Sequence, residues 1–174
     1  MRYILLIIAL FTATETIQAQ SSNSDPDETR IYAVKDGEEL YLDVYTPEIN
    51  TKEVKPVMIF MHGGGFSGGS PRNEALVKLA QIANKRGYVS VISYRLTRKG
   101  KSFSCDYEAS GKIETFKKSA EDFMDAVLYV VNHSNEFNID PSKIIVGGSS
   151  AGAEAVLNAV YNKPLMFDDS TKYS

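Results

Sequence analysis

The sequence KIIVGGSSAGAEAVLNAV (residues 143–160) joins an apolar run to a segment of small and apolar residues through Gly148-Ser149-Ser150-Ala151-Gly152. The run at 143–147 is typical of a buried β-strand, and residues 151–162 are typical of a helix. G-x-S-x-G at such a turn is the pattern of a nucleophile elbow, which exposes the serine at the carboxyl end of a sheet. The flanking glycines remove side chains that would collide with the neighbouring strand and helix. We therefore expect Ser150 to be the nucleophile and the amide of Ala151, at the helix N-terminus, to be an oxyanion donor.

A second glycine-rich loop, His62-Gly63-Gly64-Gly65-Phe66, directly follows the apolar run at residues 57–61. An HGGG sequence between a strand and the first crossover helix is where the other part of an oxyanion hole is expected. Glycines allow the backbone to turn its N–H groups toward one oxygen atom, so Gly64 and Gly65 are the predicted donors. His62 and Gly63 are expected to structure the loop, His62 through side-chain hydrogen bonds rather than as the catalytic base.

Strands and helices alternate around these two loops. The patterns predict strands at residues 30–34, 40–45, 57–61, 88–93 and 143–147, a hairpin turn at Asp36-Gly37, and helices starting at Ser70-Pro71, covering 116–131 and covering 151–162. In the second strand, Leu40, Leu42 and Val44 alternate with Tyr41, Asp43 and Tyr45, which predicts burial of one face only. The order predicts an α/β fold with a mostly parallel sheet and an N-terminal antiparallel hairpin.

Composition excludes several classes of protein. A hydrophobic content of 43% and a charged content of 24% are ordinary for a globular chain, which excludes a disordered, collagen-like or multi-span membrane protein. The formal net charge of -3 provides no basic surface for a phosphate backbone, so no nucleic acid partner is expected. The single cysteine, Cys105, excludes an internal disulfide and a cysteine-rich zinc site. Serine-based acyl transfer needs no metal or cofactor, and none is predicted.

The N-terminus has the layout of a secretory signal. A positive start is followed by the apolar run ILLIIALF (residues 4–11) and a polar segment that reaches Ala19. We expect cleavage after Ala19, a polar linker at residues 20–28 and a catalytic segment at 29–174, in a secreted or periplasmic protein. The alternative, a membrane anchor, is disfavoured because the apolar run is far shorter than the ~20 residues that span a bilayer. No membrane span is expected after cleavage.

The sequence resembles the α/β-hydrolase superfamily, specifically its HGGG-bearing carboxylesterase/lipase group, which includes secreted carbohydrate-ester esterases. The resemblance is carried by YLDVYTP (41–47), PVMIFMHGGGFSGGS (56–70), VISYRL (91–96) and FNIDPSKIIVGGSSAG (137–152). It implies a three-layer sandwich and a serine carboxylic-ester hydrolase that forms an acyl-enzyme on Ser150. The oxyanion would be held by Gly64, Gly65 and Ala151, and the substrate would be a small-molecule or carbohydrate ester.

The sequence departs from that pattern after the elbow. The triad order in this superfamily is serine, then aspartate or glutamate, then histidine, but no histidine follows Ser150 in the 174 residues. His133 precedes the elbow and is expected to be a solvated surface residue, while Asp168 and Asp169 stand too close to Ser150. We expect an N-terminal portion of an esterase, truncated after the elbow helix, in which the strand at 143–147 becomes an unprotected edge.

Three other functions compete with ester hydrolysis. Gly63 to Gly68 also fit the dinucleotide fingerprint G-x-G-x-x-G, but the next strand ends in Ser93-Tyr94-Arg95, without the carboxylate that should bind the ribose. Gly100-Lys101-Ser102 lacks the partner glycine of a P-loop. A non-catalytic or inactive binding protein with the hydrolase fold remains the alternative, and the sequence leaves the oligomeric state open.

Overall fold

The computed structural model describes residues 25–47, 53–101 and 103–161; the predicted signal sequence, most of the predicted linker, Asp168 and Asp169 lie outside these ranges. The described residues form, in order, β1 (Glu28–Lys35), β2 (Glu38–Tyr45), β3 (Lys55–Met61), α1 (Glu74–Ala83), β4 (Tyr88–Ile92), α2 (Ala109–Asn132), α3 (Ser134–Phe137), β5 (Ile139–Gly148) and α4 (Ala151–Tyr161). This order confirms the predicted hairpin followed by alternating strands and helices.

The strands form one sheet in the order β1-β2-β4-β3-β5. β1 pairs with β2, and β2 with β4, in antiparallel fashion, whereas β3 is parallel to both β4 and β5. The hairpin closes through Asp36 and Gly37, whose φ angles of 53° and 79° fit the two-residue turns that match the twist of paired strands. The predicted mixed sheet with a parallel centre is therefore confirmed.

Helices cover both faces of the sheet and give three layers. The larger core lies between one face and helices α2 and α4, and it includes Ile59, Phe123 and Ala155. A smaller cluster on the opposite face packs Leu76 and Ala80 of α1 against Tyr45 and the partly buried Met58 and Phe60. Parallel pairing of β3 with β5 aligns Met61 with Gly148, so the two glycine-rich loops leave the same edge of the sheet.

Two predictions about the first half of the chain were wrong. Helix α1 begins at Glu74 rather than at Ser70-Pro71, because the side chain of Asn73 caps it by accepting from the amide of Leu76 over 3.1 Å. Strand β2 is buried on both faces rather than one, since Asp43 and Tyr45 are buried as well. The second face is covered by the ion pair between Asp43 and Arg72 and by the packing of α1 against Tyr45. The alternation of residues within one strand predicts neither contact.

The second half differs from the prediction in length. Helix α2 begins at Ala109, earlier than the apolar stripe indicated, and β5 begins at Ile139 rather than at residue 143. The segment Asp140-Pro141-Ser142 lies inside β5, where the pairing with β3 shifts its register. Within this segment, the amide of Ser142 donates to Asp140 Oδ1 over 3.0 Å. Among the described residues, no helix is long and apolar enough to cross a membrane.

Candidate active site

Ser150 lies in the turn between β5 and α4 and has the backbone conformation expected of an elbow. Its φ angle is 50°, which is uncommon for a residue with a side chain, and its side chain is exposed. The turn is possible because its flanks are glycines. A Cβ on Gly148 would stand 2.5 Å from the carbonyl carbon of Gly152, which is closer than real Cβ contacts allow. The strand and the helix therefore meet at the sharp angle that exposes Ser150.

The loop after β3 folds back on itself through three consecutive positive φ angles. These are 135° at Gly64, 60° at Gly65 and 57° at Phe66. The carbonyl oxygen of Gly64 accepts hydrogen bonds from the amides of Ser67 and Gly68, both over 3.1 Å. A Cβ on Gly64 would stand 2.0 Å from the carbonyl oxygen of Gly68, so this turn needs a glycine at that position.

The two loops are in direct contact. The amide of Ser149 donates to the carbonyl oxygen of Met61 over 3.1 Å, which joins the end of β5 to the end of β3. A Cβ on Gly63 would stand 2.8 Å from the carbonyl oxygen of Ser149 and 3.2 Å from Ser150 Cβ. The missing side chain of Gly63 thus lets the first turn of the glycine loop lie beside the exposed serine.

Ala151 begins helix α4 immediately after Ser150 and is buried. Its amide is one of the four that an α-helix leaves without an intrahelical partner, and the helix dipole gives this end a partial positive charge. An anionic oxygen formed at a carbon bonded to Ser150 would therefore meet a favourable field. Of the predicted oxyanion donors, Gly64 and Gly65 lie in the glycine loop and Ala151 is the first residue of α4, and these two segments contact each other at this edge.

His62 is buried beneath the glycine loop, with 2% of its surface exposed. Its Nδ1–H donates to the carbonyl oxygen of Gly63 over 2.7 Å, and its ring lies 4.6 Å from that of Tyr94. Burial lowers the pKa of His62, because a charged imidazolium would lose its hydration. A neutral ring with its proton on Nδ1 is therefore held against the loop.

His133 caps the C-terminal end of α2, before β5 begins, whereas Ser150 follows the end of β5. A ten-residue strand is about 30 Å long, so the two residues belong to opposite ends of the sheet. His133 is only half-exposed: Nδ1–H donates to the Tyr129 carbonyl over 2.8 Å, and the two rings stack at 4.0 Å. His133, which was expected to be solvated, is therefore held against Tyr129, one turn earlier in α2.

Sequence patterns gave no role to a set of buried polar groups around the loops. Arg95, just after β4, donates through its backbone amide and Nε to the fully buried carboxylate of Asp122 over 2.9 and 3.0 Å. Arg72, just after the glycine loop, donates hydrogen bonds from Nε and a terminal nitrogen to the fully buried carboxylate of Asp43 over 2.7 and 2.8 Å. The Arg72–Asp43 pair could have been suspected from the sequence, because an aspartate stands inside the apolar strand β2. The Arg95–Asp122 pair joins residues 27 positions apart and has no local sequence signature.

A polar groove of about 220 Å³ contains none of the predicted site residues; it is lined by Asp36, Glu38, Arg95, Leu96, Thr97, Tyr107, Glu114, Thr115 and Lys118. In the described ranges, no group of three or more histidine, cysteine or acidic side chains could hold a metal ion. The candidate site is therefore the contact between the two glycine-rich loops.

Known proteins similar to this chain include esterases. A fumonisin B1 esterase from Sphingopyxis macrogoltabida is 33% identical over 131 residues, which cover 72% of this chain and 23% of that protein. A neuroligin-like protein from Caenorhabditis elegans is 33% identical over 120 residues, which cover 67% of this chain and 15% of that protein. The chain thus spans less than a quarter of the length of these curated relatives.

A thermophilic esterase from the Planctomycetes species Thermogutta terrifontis has a similar structure. It superposes with a TM-score of 0.59 at 22% identity, over 79% of this chain and 45% of that chain. This similarity confirms the α/β-hydrolase fold predicted from the sequence. A family model described as BD-FAE matches residues 42–174, a range that includes both glycine-rich loops. The chain therefore belongs to the BD-FAE family, which is of the α/β-hydrolase type.

Proposed function

We propose that this chain supplies the nucleophile and the oxyanion hole of a serine carboxylic-ester hydrolase. The observation that carries the proposal is the contact between Gly63 and the elbow, where Ser150 is exposed at a φ of 50°. An elbow alone is a common turn, but an elbow beside a loop of positive-φ glycines brings a hydroxyl and backbone amides to one place. Acyl transfer requires this combination.

In the proposed reaction, Ser150 Oγ attacks the ester carbonyl carbon and its proton passes to a base. The carbonyl oxygen becomes an oxyanion, which the amides of Gly64, Gly65 and Ala151 stabilise. The intermediate expels the alcohol, which takes up a proton, and leaves an acyl group on Ser150. Water then attacks this acyl-enzyme and releases the carboxylic acid.

The base is the part of the mechanism that neither histidine of the chain fits. His62 already donates through Nδ1 to Gly63, and His133 lies at the other end of β5. We propose that the whole protein supplies the base from outside these 174 residues. We also propose a small-molecule or carbohydrate ester as substrate, and secretion directed by residues 1–19, which N-terminal sequencing of the mature protein would test by finding Gln20 first.

The decisive experiment is labelling of the full-length protein with a fluorophosphonate, followed by peptide mapping. We expect the label on Ser150, its loss in Ser150→Ala, and its retention in Ser149→Ala, which removes the neighbouring hydroxyl from the same turn. Label on any other serine would contradict the assignment of the nucleophile.

A second candidate function is that of a non-catalytic binding protein with the same fold. One observation favours it: neither histidine of this chain is placed as the base. A full-length protein that neither reacts with the fluorophosphonate nor hydrolyses activated esters would support this alternative.

A further inference from the structure

Phe66 is held in a backbone conformation that its side chain disfavours. Its φ angle of 57° follows the 60° of Gly65, but Phe66 has a Cβ and Gly65 does not. Positive φ is uncommon for bulky residues and persists only where the surroundings hold it. The last residue of the glycine loop must therefore be fixed by contacts outside the loop.

Three aromatic rings surround Phe66, and we call them the Phe66 cage. The Phe66 ring lies 5.0 Å from Phe103, 5.5 Å from Phe116 and 6.2 Å from Tyr94, at interplanar angles of 55°, 78° and 75°. Tilted and edge-on arrangements at these distances are attractive. The three rings come from the segment after β4, from the connection before α2, and from α2 itself, and they leave Phe66 1% exposed.

The same connection also holds the loop through its backbone. The amide of Arg98 donates to the carbonyl oxygen of Phe66 over 3.0 Å, and that of Gly100 donates to the carbonyl oxygen of Ser67 over 3.4 Å. Phe103 follows these residues and places its ring against Phe66. The segment after β4 therefore holds the glycine loop at Phe66 and Ser67, whereas the elbow contacts the loop at Gly63.

We infer that Phe66 is a positioning residue for the oxyanion hole and that the Phe66 cage holds Gly64 and Gly65 with their amides in a fixed orientation. In its catalytic part, this inference rests on the proposed ester hydrolase function. Preorganised donors stabilise a developing oxyanion because they need not reorient during the reaction. A loosened cage should lower kcat while leaving KM unchanged, because the oxyanion exists only in the transition state and intermediate.

The test uses the full-length protein with Phe103→Leu, which removes one half-buried ring of the cage without changing any residue of the loop. Phe103→Tyr keeps the ring, and Phe123→Leu is the matched control, because Phe123 is a buried ring of the same core, two turns along α2 from Phe116. Hydrogen exchange of the amides in residues 62–69 reports on the loop whether or not the protein is an enzyme. Hydrolysis of an activated ester gives kcat and KM.

For Phe103→Leu, we expect loop amides to exchange about 10-fold faster and kcat to fall about 10-fold with KM unchanged, a smaller loss than deletion of a donor causes. Phe103→Tyr should keep loop exchange and kcat at their wild-type values. Phe123→Leu should lower the unfolding midpoint but change neither loop exchange nor kcat. Phe66→Gly removes the ring and relieves the unfavourable φ. We expect Phe66→Gly to raise loop exchange and lower kcat at least as much as Phe103→Leu does. Wild-type loop exchange and kcat in Phe66→Gly would show that the Phe66 ring does not position the loop.

Each outcome is decisive. Unchanged loop exchange in Phe103→Leu overturns the inference. Faster exchange with unchanged kcat overturns its catalytic part and leaves the cage as a structural device. Failure of the proposed function is distinguishable, because it appears as an unreactive wild-type protein, and hydrogen exchange then still decides whether the cage fixes the loop.

Discussion

Gly152, in the first turn of α4, lies so close to the carbonyl oxygen of Met61 that a Cβ on Gly152 would stand 2.3 Å from it. The carbonyl oxygen of His62 would stand 2.5 Å from the same Cβ. Both neighbours are backbone atoms, one at the end of β3 and the other at the start of the glycine loop, so they cannot rotate away. The second glycine of G-x-S-x-G therefore sets the distance between the nucleophile elbow and the oxyanion loop.

The first prediction concerns this close approach. Gly152→Ala should push α4 away from the end of β3, because the added methyl group meets backbone atoms at less than contact distance. We expect a loss of about 1–3 kcal/mol in the free energy of unfolding, measured by urea denaturation, and a loss of Ser150 labelling. Gly68→Ala is the control, since no atom lies within 4 Å of a Cβ there. Equal effects of the two substitutions would contradict the prediction.

The second prediction concerns the buried ion pair between Arg95 and Asp122. Burial raises the pKa of Asp122, and the hydrogen bonds and charge of Arg95 oppose that rise. Asp122→Ala leaves Arg95 buried without its main partner, and we expect it to lower the free energy of unfolding by about 3–5 kcal/mol. Glu74→Ala breaks the exposed pair with Lys78 and should leave the urea midpoint unchanged. A similarly small effect of Asp122→Ala would show that water reaches Arg95.

The third prediction concerns pH. Because burial lowers the pKa of His62 below its usual 6.5, the folded protein binds its proton less readily than the unfolded chain does. The contribution of neutral His62 to stability is therefore complete above pH 6.5 and is lost as the pH falls toward the lowered value. We expect His62→Asn, which keeps a donor but does not titrate, to lose less stability than wild type between about pH 7 and about pH 5. Parallel stability curves for the two proteins would contradict this.

The fourth prediction concerns β5, which is the edge of the sheet among the described strands. Ile145 and Val146 are 52% and 37% exposed there, and unprotected apolar edges promote association between sheets. We expect residues 20–174, expressed without further sequence, to aggregate or to remain loosely packed, as judged by size-exclusion chromatography and near-UV circular dichroism. Ile145→Lys should reduce the aggregation. Ile82→Lys adds the same charge to the surface of α1 and should not.

The sequence predicted the features that depend on neighbouring residues. Alternating and continuous apolar runs indicated the strands, and Asp36-Gly37 indicated the hairpin, because their signals lie within a few residues. The two glycine-rich motifs indicated where the chemistry would lie, since both follow parallel strands. The start of α1 was misplaced at Ser70-Pro71, because several residues near 70–73 can cap a helix and the choice of Asn73 depends on how the loop before it folds.

The buried polar groups were beyond sequence patterns for a different reason. Asp43 looked solvent-facing in β2, and only the arrival of Arg72, 29 residues later, lets it be buried with a partner. The burial of Asp122 likewise depends on Arg95, which the chain brings to α2 from the end of β4.

By itself, the sequence determined the class of fold and the identity of the two loops, because strand, turn and helix signals are local. Only the tertiary structure decided that Gly63 lies beside Ser150 and that Phe66 is enclosed by Tyr94, Phe103 and Phe116. These contacts depend on the parallel pairing of β3 with both β4 and β5, which aligns the ends of strands far apart in the chain. The register of that pairing is set by packing over the whole sheet, and no short stretch of residues specifies it.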